Sequence, residues 1–482
     1  MQEVAIHELP VEQLAEVLPP DRMARFEQVA ARAKEGLDGR VVWNVNSTAA
    51  GGGVAEMLQT LLAYARGAGV DARWLVFDGD SEFFAITKRL HNLLHGAPGD
   101  GLGLSEADRA HYENVQVANQ ADLLERVSPG DIIIIHDPQP AGMLPGLRDC
   151  GAPVVWRCHV GRDVPNEHTN EAWEFLRRYV EAARALVFSR ERYAPDWVDR
   201  ERLLVVPPSI DPFSTKNRDI SPDDVARVLT TVGLLAGEPS DEPVPFVRRD
   251  GAPGVVRPHR DILQGGEAPP SPDDQLVVQV SRWDRLKDMS GVMKGFVDGP
   301  PAETDAHLVL AGPAVAGVTD DPEGAQVLEE CLAAWHELPE SIRERVHLAA
   351  IPMDDPDENA LIVNALQRHA SIVVQKSLVE GFGLTVAEAM WKARPVVASA
   401  VGGIQDQISD GETGLMLDDP YDLAEFGRML RRLLDDPVLG EQLGVAARAA
   451  VLDHFVGDRH LQQYAELFGV LMREQAASEA AR

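Results

Sequence analysis

One stretch in the second half of the chain, residues 370–403, most constrains the fold. It reads ASIVVQKSLVEGFGLTVAEAMWKARPVVASAVGG. The pattern predicts a strand at Ser371–Gln375, a loop containing glycines, a helix at Thr385–Lys392 and a second strand that begins after Pro395. Strands that alternate with helices in this way indicate an α/β domain built on a parallel sheet.

Two carboxylates flank the loop of this unit. Glu380 precedes the glycines, and Glu388 lies about one helical turn inside the helix. Between them, the backbone amides of Gly383, Leu384 and Thr385 are predicted to lie at the helix N-terminus, where partial positive charge attracts anions. The arrangement suits a sugar attached to a nucleotide diphosphate. Taken alone, the loop also fits an ordinary turn between a strand and a helix.

Length and charge limit the classes of function. A chain of 482 residues exceeds one ordinary core, so two large domains are expected. Lys and Arg number 45 against 77 Asp and Glu, a net charge of −32. This charge argues against nucleic acid or an anionic membrane as the main partner. The N-terminus has no basic start followed by an apolar core, and no apolar run approaches a membrane span, so a cytoplasmic location is expected.

The front half opens with a strand at Val41–Asn46, the glycine-rich loop STAAGGG and an amphipathic helix. This order predicts a doubly wound sheet with ligands at the carboxyl ends of its strands. Gly51, Gly52 and Gly53 would let a ligand approach the backbone closely. They do not form GxGxxG, which argues against a nicotinamide cofactor.

Two histidines are predicted at the carboxyl ends of later strands in this half. The strands are Asp131–His136, Pro153–His159, Ala185–Ser189 and Leu203–Val206. A single histidine there is usually a structural residue. Because His136 and His159 fall on the same predicted edge, a role in the site is favoured, above all for His159.

The second half repeats the pattern, with a first strand at Leu276–Ser281 followed by Arg282 and Lys287. Two cations five residues apart can reach a diphosphate from one loop, although solvated surface charges are the alternative. Residues 236–274, rich in Pro, Gly, Asp and Glu, are predicted to be an exposed, flexible insertion.

The predicted divisions are an N-terminal helical extension (1–40), an N-terminal Rossmann-like domain (41–213), a linker with the insertion (214–275), a C-terminal Rossmann-like domain (276–455) and a helix returning toward the N-terminal domain (456–482). The motif Asp78-Gly79-Asp80 matches a DxD metal handle, but an Asp-Gly turn explains it better, so no metal site is predicted.

These motifs carry a resemblance to a known family. Glu380-Gly381-Phe382-Gly383 with Glu388 resembles the E-x7-E signature of retaining GT-B glycosyltransferases. More specifically, the chain resembles the trehalose glycosyltransferring synthases. The matching stretches are NSTAAGGGVAEML (46–58), FDGDSEFFAITKRLHNLLHG (77–96), WRCHVGRDVPN (156–166), QVSRWDRLKD (279–288), DDPEG (320–324), QKSLVEGFGLTVAEAMWK (375–392) and VGGIQDQISDG (401–411).

The resemblance implies a GT-B fold, in which two doubly wound domains face each other across a cleft. It also implies transfer of glucose from UDP- or ADP-glucose to free glucose. Glu380 would hold hydroxyls of the donor glucose, Glu388 the ribose, and Arg282 with Lys287 the leaving diphosphate. The implied catalytic residues are Arg282, Lys287, Glu380 and His159. The implied donor-binding residues are Gly52, Gly53, Gly381, Phe382, Gly383, Leu384, Thr385 and Glu388. The implied acceptor-binding residues are Asn46, Asp137, Arg157 and Asn166.

No metal is required by these motifs, with Mg²⁺ stimulation and a homodimer as possible additions. Three alternatives stay open at this point. A retaining trehalose phosphorylase would share the motifs and use free phosphate. A related transferase would build another glucoside, such as sucrose or glucosylglycerate. A non-catalytic sensor would bind the sugar nucleotide without turnover.

Overall fold

The structure, a computed structural model, describes residues 1–49, 53–239, 242–249, 251–259, 261–265, 268–315 and 322–480. The chain divides into two compact units. Unit 1 comprises Met1–Ser209 with Phe455–Arg482, and unit 2 comprises Ile210–His454. Within the described ranges, no helix combines the length and the apolar character needed to cross a bilayer.

The helices are α1 Pro20–Leu37, α2 Gly53–Gly67, α3 Ser81–Leu94, α4 Glu106–Arg126, α5 Leu144–Leu147, α6 Glu167–Val180, α7 Pro222–Val232, α8 Met289–Val297, α9 Pro322–His336, α10 Glu340–Arg343, α11 Pro356–His369, α12 Leu384–Trp391, α13 Ile404–Gln407, α14 Leu423–Asp435, α15 Pro437–His454 and α16 Gly457–Ala480. The strands are β1 Gln2–Val4, β2 Val41–Asn46, β3 Asp71–Val76, β4 Ile132–His136, β5 Val154–Cys158, β6 Ala185–Phe188, β7 Leu203–Val205, β8 Pro245–Val247, β9 Pro253–Val255, β10 Leu263–Gly265, β11 Leu276–Val280, β12 His307–Pro313, β13 Val346–Ile351, β14 Ile372–Gln375, β15 Val396–Ser399 and β16 Leu415–Leu417.

Unit 1 is built on a seven-stranded sheet in the order β1-β3-β2-β4-β5-β6-β7. All neighbours are parallel except β1, which pairs with β3 in the antiparallel direction. The central strands are near-continuous apolar runs, as expected for a parallel sheet covered on both faces. The strand order reverses between β2 and β4, which makes their carboxyl ends the topological switch point of this sheet.

Unit 2 repeats the design with a seven-stranded sheet in the order β10-β13-β12-β11-β14-β15-β16. Here β10 is the antiparallel edge strand and the other neighbours are parallel. The order reverses between β11 and β14. The loop with Arg282 and Lys287 and the loop with Glu380 therefore leave the sheet side by side.

The last helix, α16, belongs to unit 1. Its residues Tyr464, Leu467, Phe468 and Leu471 share a core cluster with Val42, Ile132, Ile134 and Val155 of the sheet. Near its start, the carboxylate of Asp458 is fully buried and accepts hydrogen bonds from both ends of the Arg22 fork, at 2.6 and 2.7 Å. Apolar burial thus fixes α16 on the sheet, and one buried ion pair fixes its start to α1.

Two segments contain more regular secondary structure than the sequence predicted. The extension at 1–40 contains an edge strand, β1, besides helix, and the insertion at 236–274 contains β8, β9 and β10. The first two insertion strands form a hairpin, whereas β10 joins the main sheet of unit 2. Three-residue strands containing Pro or Gly have too few residues to produce a periodic signal, which is why the sequence pattern missed them.

Candidate active site

The candidate site of unit 2 lies at its topological switch point. After β11 the chain runs through residues 281–288, and after β14 it runs through residues 376–383. Lys287 on the first loop and Glu380 on the second form an ion pair, with Nζ 2.6 Å from Oε2. Both side chains are mostly buried, at 16% and 10% exposure. The structure therefore joins two of the predicted catalytic residues in one contact.

The carboxylate of Glu380 is oriented by polar groups of its own loop and strand. The Ser377 hydroxyl donates to Oε2 at 3.1 Å, and the Gly381 amide donates to Oε1 at 3.2 Å. Gln375 donates to the Ser377 hydroxyl and accepts from the Thr385 hydroxyl, at 3.0 and 2.9 Å. This network locks the rotamer of Glu380 before any substrate arrives.

A left-handed glycine makes the transition from the loop to α12. Gly383 has φ +80° and ψ +57° and caps the helix, which begins at Leu384. A Cβ at this position would lie 3.1 Å from Ile404 and 3.2 Å from the Cγ of Glu380. The loop is held from outside by Gln407, whose amide donates to the carbonyls of Phe382 and Gly383. The amides at the start of α12 are thereby fixed beside Glu380.

Glu388 lies inside α12 and is 5% exposed. Its Oε1 is 3.6 Å from the Nζ of Lys216. One turn later, the buried ammonium of Lys392 donates to the Glu388 carbonyl and to the side chains of Asn217 and Gln367. Burial lowers the pKa of Lys392, while the nearby charge of Glu388 acts in the opposite direction. The Glu388 carboxylate thus lies near the ammonium groups of Lys216 and Lys392, behind the loop at residues 376–383.

The two predicted cations of the first loop differ in environment. Arg282 is half-exposed, with its guanidinium 3.3 Å from Asp284, whereas Lys287 faces Glu380. A third cation, Lys376, is buried and donates to Asp288 and to the Pro420 carbonyl. Lys376 joins the start of the β14 loop to the end of the β11 loop, a role that the sequence did not reveal.

The switch point of unit 1 begins with Asn46, the last residue of β2. Its amide donates to the Thr48 carbonyl at 2.7 Å, and its oxygen accepts from the Trp74 indole at 2.7 Å. Of the predicted loop glycines, Gly51 and Gly52 lie outside the described residues, whereas Gly53 is the first residue of α2.

Across the switch point, β4 ends at His136 and Asp137 follows in a left-handed conformation with φ +65°. The Asp137 carboxylate accepts the backbone N–H of His159 at 2.7 Å. Burial raises the pKa of Asp137 to about 7, offset in part by this hydrogen bond and by the charge of Arg157. The ring of His136 contacts that of His159, with Nδ1 3.1 Å from Nε2. Burial lowers the pKa of both rings, that of His136 to about 3.

The other two predicted acceptor residues are engaged within the fold. Arg157 is fully buried, and its guanidinium donates to the Val206 carbonyl at 2.6 Å. Asn166 caps α6 by accepting the Thr169 amide, and its own amide donates to the Gly96 carbonyl. Arg157 therefore supplies charge behind the histidines, and its direct contact with a sugar stays a prediction, as does that of Asn166.

Sequence reasoning missed several polar residues of these edges: Asn44, Lys216, Gln375, Lys376 and Ser377. A signal existed for two of them. Asn44 and Gln375 interrupt buried apolar strands, where a polar side chain needs a partner. The other three lie on loops, and their neighbours depend on the path of the backbone.

The Asp78-Gly79-Asp80 motif has a structural use. Asp80 caps α3 by accepting the Phe83 amide and also contacts His111 at 2.9 Å. Among the residues that the structure describes, no cluster of His, Cys, Asp or Glu could hold a metal ion.

Comparison with known proteins decides the family. Residues 44–195 match the family "Trehalose synthase, N-terminal domain", and residues 266–450 match "Glycosyl transferases group 1". The trehalose synthase of Pyrococcus horikoshii is 32% identical over 461 residues, which cover 96% of this chain and 96% of that protein. The chain belongs to the trehalose synthase family.

The fold and a second group of relatives agree with this membership. The α,α-trehalose-phosphate synthase (UDP-forming) of Burkholderia vietnamiensis superposes with a TM-score of 0.63 at 16% identity, over 90% of this chain and 99% of that one, which identifies a GT-B fold. A trehalose phosphorylase of Pleurotus pulmonarius is 24% identical over 85% of this chain, but the match spans 54% of that protein. The chain is therefore a trehalose-related glycosyltransferase.

Proposed function

We propose that the chain transfers glucose from a nucleotide-activated glucose to free glucose, with retention at the anomeric carbon, and that the product is trehalose. The observation that carries the proposal is the Lys287–Glu380 pair at the switch point of unit 2, beside the amides that open α12. A carboxylate for sugar hydroxyls, a cation and a helix N-terminus are the groups that a glucose diphosphate requires together. Relatives called trehalose synthase that align along nearly the whole chain support the choice of product.

In the proposed mechanism, the bond from the anomeric carbon to the diphosphate oxygen breaks while the bond to the acceptor oxygen forms on the same face. The acceptor proton passes to the departing diphosphate oxygen. Arg282, Lys287 and the α12 amides stabilise the negative charge that develops there, which is electrostatic preorganisation. The proposed mechanism uses no nucleophilic carboxylate and therefore no double displacement. At the edge of unit 1, His159, Asp137 and Asn46 would contact a sugar.

The test is product identification with a panel of nucleoside diphosphate glucoses and free glucose. A non-reducing disaccharide, resistant to reduction and cleaved by a trehalase, is the expected product, and the best donor identifies the base. The Glu380→Gln variant, which keeps the shape of the side chain but loses its charge, should lose most of this activity. Binding of the nucleotide sugar without transfer to any sugar would instead support a sensor.

A trehalose phosphorylase is the second candidate, because such enzymes align with most of this chain. The two reactions differ in the co-substrate that releases glucose from trehalose. A trehalose synthase needs a nucleoside diphosphate, whereas a phosphorylase needs only inorganic phosphate. Release with phosphate alone would overturn the proposed donor, while leaving the GT-B fold and the trehalose chemistry in place.

A further inference from the structure

Three polar side chains form a hydrogen-bonded row across the switch point of unit 1. Asn44 lies within β2, His136 ends β4, and His159 follows β5. Oδ1 of Asn44 is 3.1 Å from Nε2 of His136, and Nδ1 of His136 is 3.1 Å from Nε2 of His159. The two imidazole planes are within 13° of each other. For the row from Asn44 to His159 we use the name relay.

The inner end of the relay fixes where the hydrogens lie. The amide nitrogen of Asn44 is turned to two carbonyls, those of Val42 at 3.4 Å and Arg73 at 3.5 Å. Its oxygen therefore points to His136. An amide oxygen only accepts hydrogen bonds, so Nε2 of His136 must carry the hydrogen of that contact.

Among the described residues, two features oppose a second proton on the His136 ring. The ring is 2% exposed, and the buried Arg157 guanidinium nearby opposes another positive charge. Behind Asn44 and His136 lies a cavity of about 60 Å³ lined almost entirely by apolar side chains, among them Met57 and Phe468. Its lining gives a water molecule few hydrogen-bonding side chains that could replace Asn44. His136 is thus neutral, and its Nδ1 holds a lone pair.

The tautomer of His159, at the outer end of the relay, follows by the same reasoning. Because Nδ1 of His136 accepts, Nε2 of His159 must donate, and a neutral His159 then has its lone pair on Nδ1. The ring of His159 is only partly buried, and its backbone N–H is tied to Asp137. Its outward nitrogen is therefore a fixed hydrogen-bond acceptor at the carboxyl edge of the sheet.

We propose that Asn44 and His136 are positioning residues, which hold His159 in the tautomer whose Nδ1 accepts a hydrogen bond from a sugar hydroxyl. The inference rests on the proposed function in one respect, namely that this edge of unit 1 takes a sugar. Neither residue touches the substrate. Asn44 acts on the reaction through two successive hydrogen bonds.

The first test measures the tautomer directly in the full chain. In protein labelled with ¹⁵N-histidine, the His159 resonances are assigned by their loss in His159→Gln. We expect Nδ1 of His159 to show the shift of an unprotonated nitrogen and Nε2 that of a protonated one. The opposite assignment, or a shift averaged between the two tautomers, would overturn the relay.

The second test reverses the relay with Asn44→Leu. Leucine keeps the size of the side chain beside an apolar cavity but removes the acceptor, so His136 is free to carry its hydrogen on Nδ1 and His159 must then carry its own on Nδ1. We expect the His159 shifts to leave the wild-type assignment and move toward those of the other tautomer, and kcat/KM to fall roughly tenfold or more, as for loss of one well-placed hydrogen bond. Unchanged shifts, or activity within twofold, would contradict the proposal.

The matched control is Asn119→Leu, the same substitution at a buried asparagine of unit 1 that bonds to Asp78 and Val115 instead. It should lower the melting temperature comparably and leave the His159 shifts unchanged. The tautomer experiment needs no turnover. If the wild type made no trehalose but showed the expected shifts, the proposed function would fail and the relay would stand.

Discussion

Lys287 and Arg285 belong to the same short loop but have different partners. Lys287 faces Glu380, whereas Arg285 pairs with Glu330 on the surface. Replacing Lys287 by Ala should lower kcat/KM by about 100-fold, because one preorganised charge for the leaving group is lost. Arg285→Ala removes a neighbouring cation and should leave activity within twofold. Steady-state kinetics of both variants test this prediction. Equal losses of kcat/KM would show that the net charge of the loop matters, and not the position of Lys287.

Gly383 allows a prediction that separates backbone strain from displacement of the carboxylate. A Cβ at Gly383 meets Ile404 and Glu380, whereas one at Gly411, with a similar φ of +73°, meets nothing within 4 Å. Both Gly→Ala changes should cost about 1–2 kcal/mol of unfolding free energy from the left-handed conformation. Only Gly383→Ala should also lower kcat, by about tenfold or more, since Glu380 must move. Equal kcat values would show that Glu380 tolerates the displacement.

At the scale of elements, the insertion is attached to unit 2 by ion pairs at the start of α11. Arg248 pairs with Asp355, Arg249 with Asp357, and Arg257 with Glu358. Glu358 is 1% exposed, and it also accepts the backbone N–H of Arg257. Together with the contacts of Arg257 with Asp354 and of His259 with Glu358, these pairs hold the charged insertion against unit 2.

Arg257→Ala should destabilise unit 2 by about 1–3 kcal/mol, because it leaves a buried carboxylate without its guanidinium. The control is Arg177→Ala, which breaks the exposed pair of Arg177 with Glu181 and should cost less than about 1 kcal/mol. Denaturant unfolding of each variant gives the two values. Indistinguishable costs would mean that the insertion contributes little to the stability of the unit.

The same elements show how much of the fold the sequence could predict. The parallel strands were predicted within one residue at most ends, because four to six buried apolar residues in a row leave few alternatives. β14 begins one residue later than predicted and ends at the predicted residue, and β15 begins directly after Pro395, as predicted. β8, β9 and β10 were missed because three-residue strands give no periodic signal. The carboxylates that hold this insertion, Asp355, Asp357 and Glu358, also lie 101 to 108 residues from their arginine partners in the sequence.

At the scale of the whole molecule, the two sheets explain why part of the candidate site was predictable. Lys287 and Glu380 follow β11 and β14, and parallel strands at a switch point bring their carboxyl ends together whatever the loops do. The relay was predictable only in part. His136 and His159 were expected on the same edge of the sheet, but their hydrogen bond and the contact with Asn44 depend on a strand order that is known only once the sheet is formed.

The unfolding free energy of unit 1 depends on pH because several of its buried groups titrate at a different pH in the folded and the unfolded chain. Burial lowers the pKa of His136, His159 and His460, whereas it raises the pKa of Asp137 to about 7. Between about pH 6 and 4, the unfolded chain protonates the three histidines, and the folded chain holds one proton on Asp137. The unfolded state thus binds more protons, so unfolding free energy falls as pH falls, by about 2–3 kcal/mol per pH unit from these groups.

The net charge of −32 acts in the opposite direction, because acid reduces the repulsion among surface carboxylates. A single variant separates the two effects. His460→Phe removes one buried histidine and leaves the surface carboxylates unchanged, so its stability should decline less steeply with acid, by about 1.4 kcal/mol per pH unit. Hydrogen exchange of β4 and β5 peptides between pH 7 and 4.5, corrected for the intrinsic exchange rate, measures the slope in unit 1. Parallel slopes in the wild type and His460→Phe would show that protonation of His460 does not contribute to the loss of stability in acid.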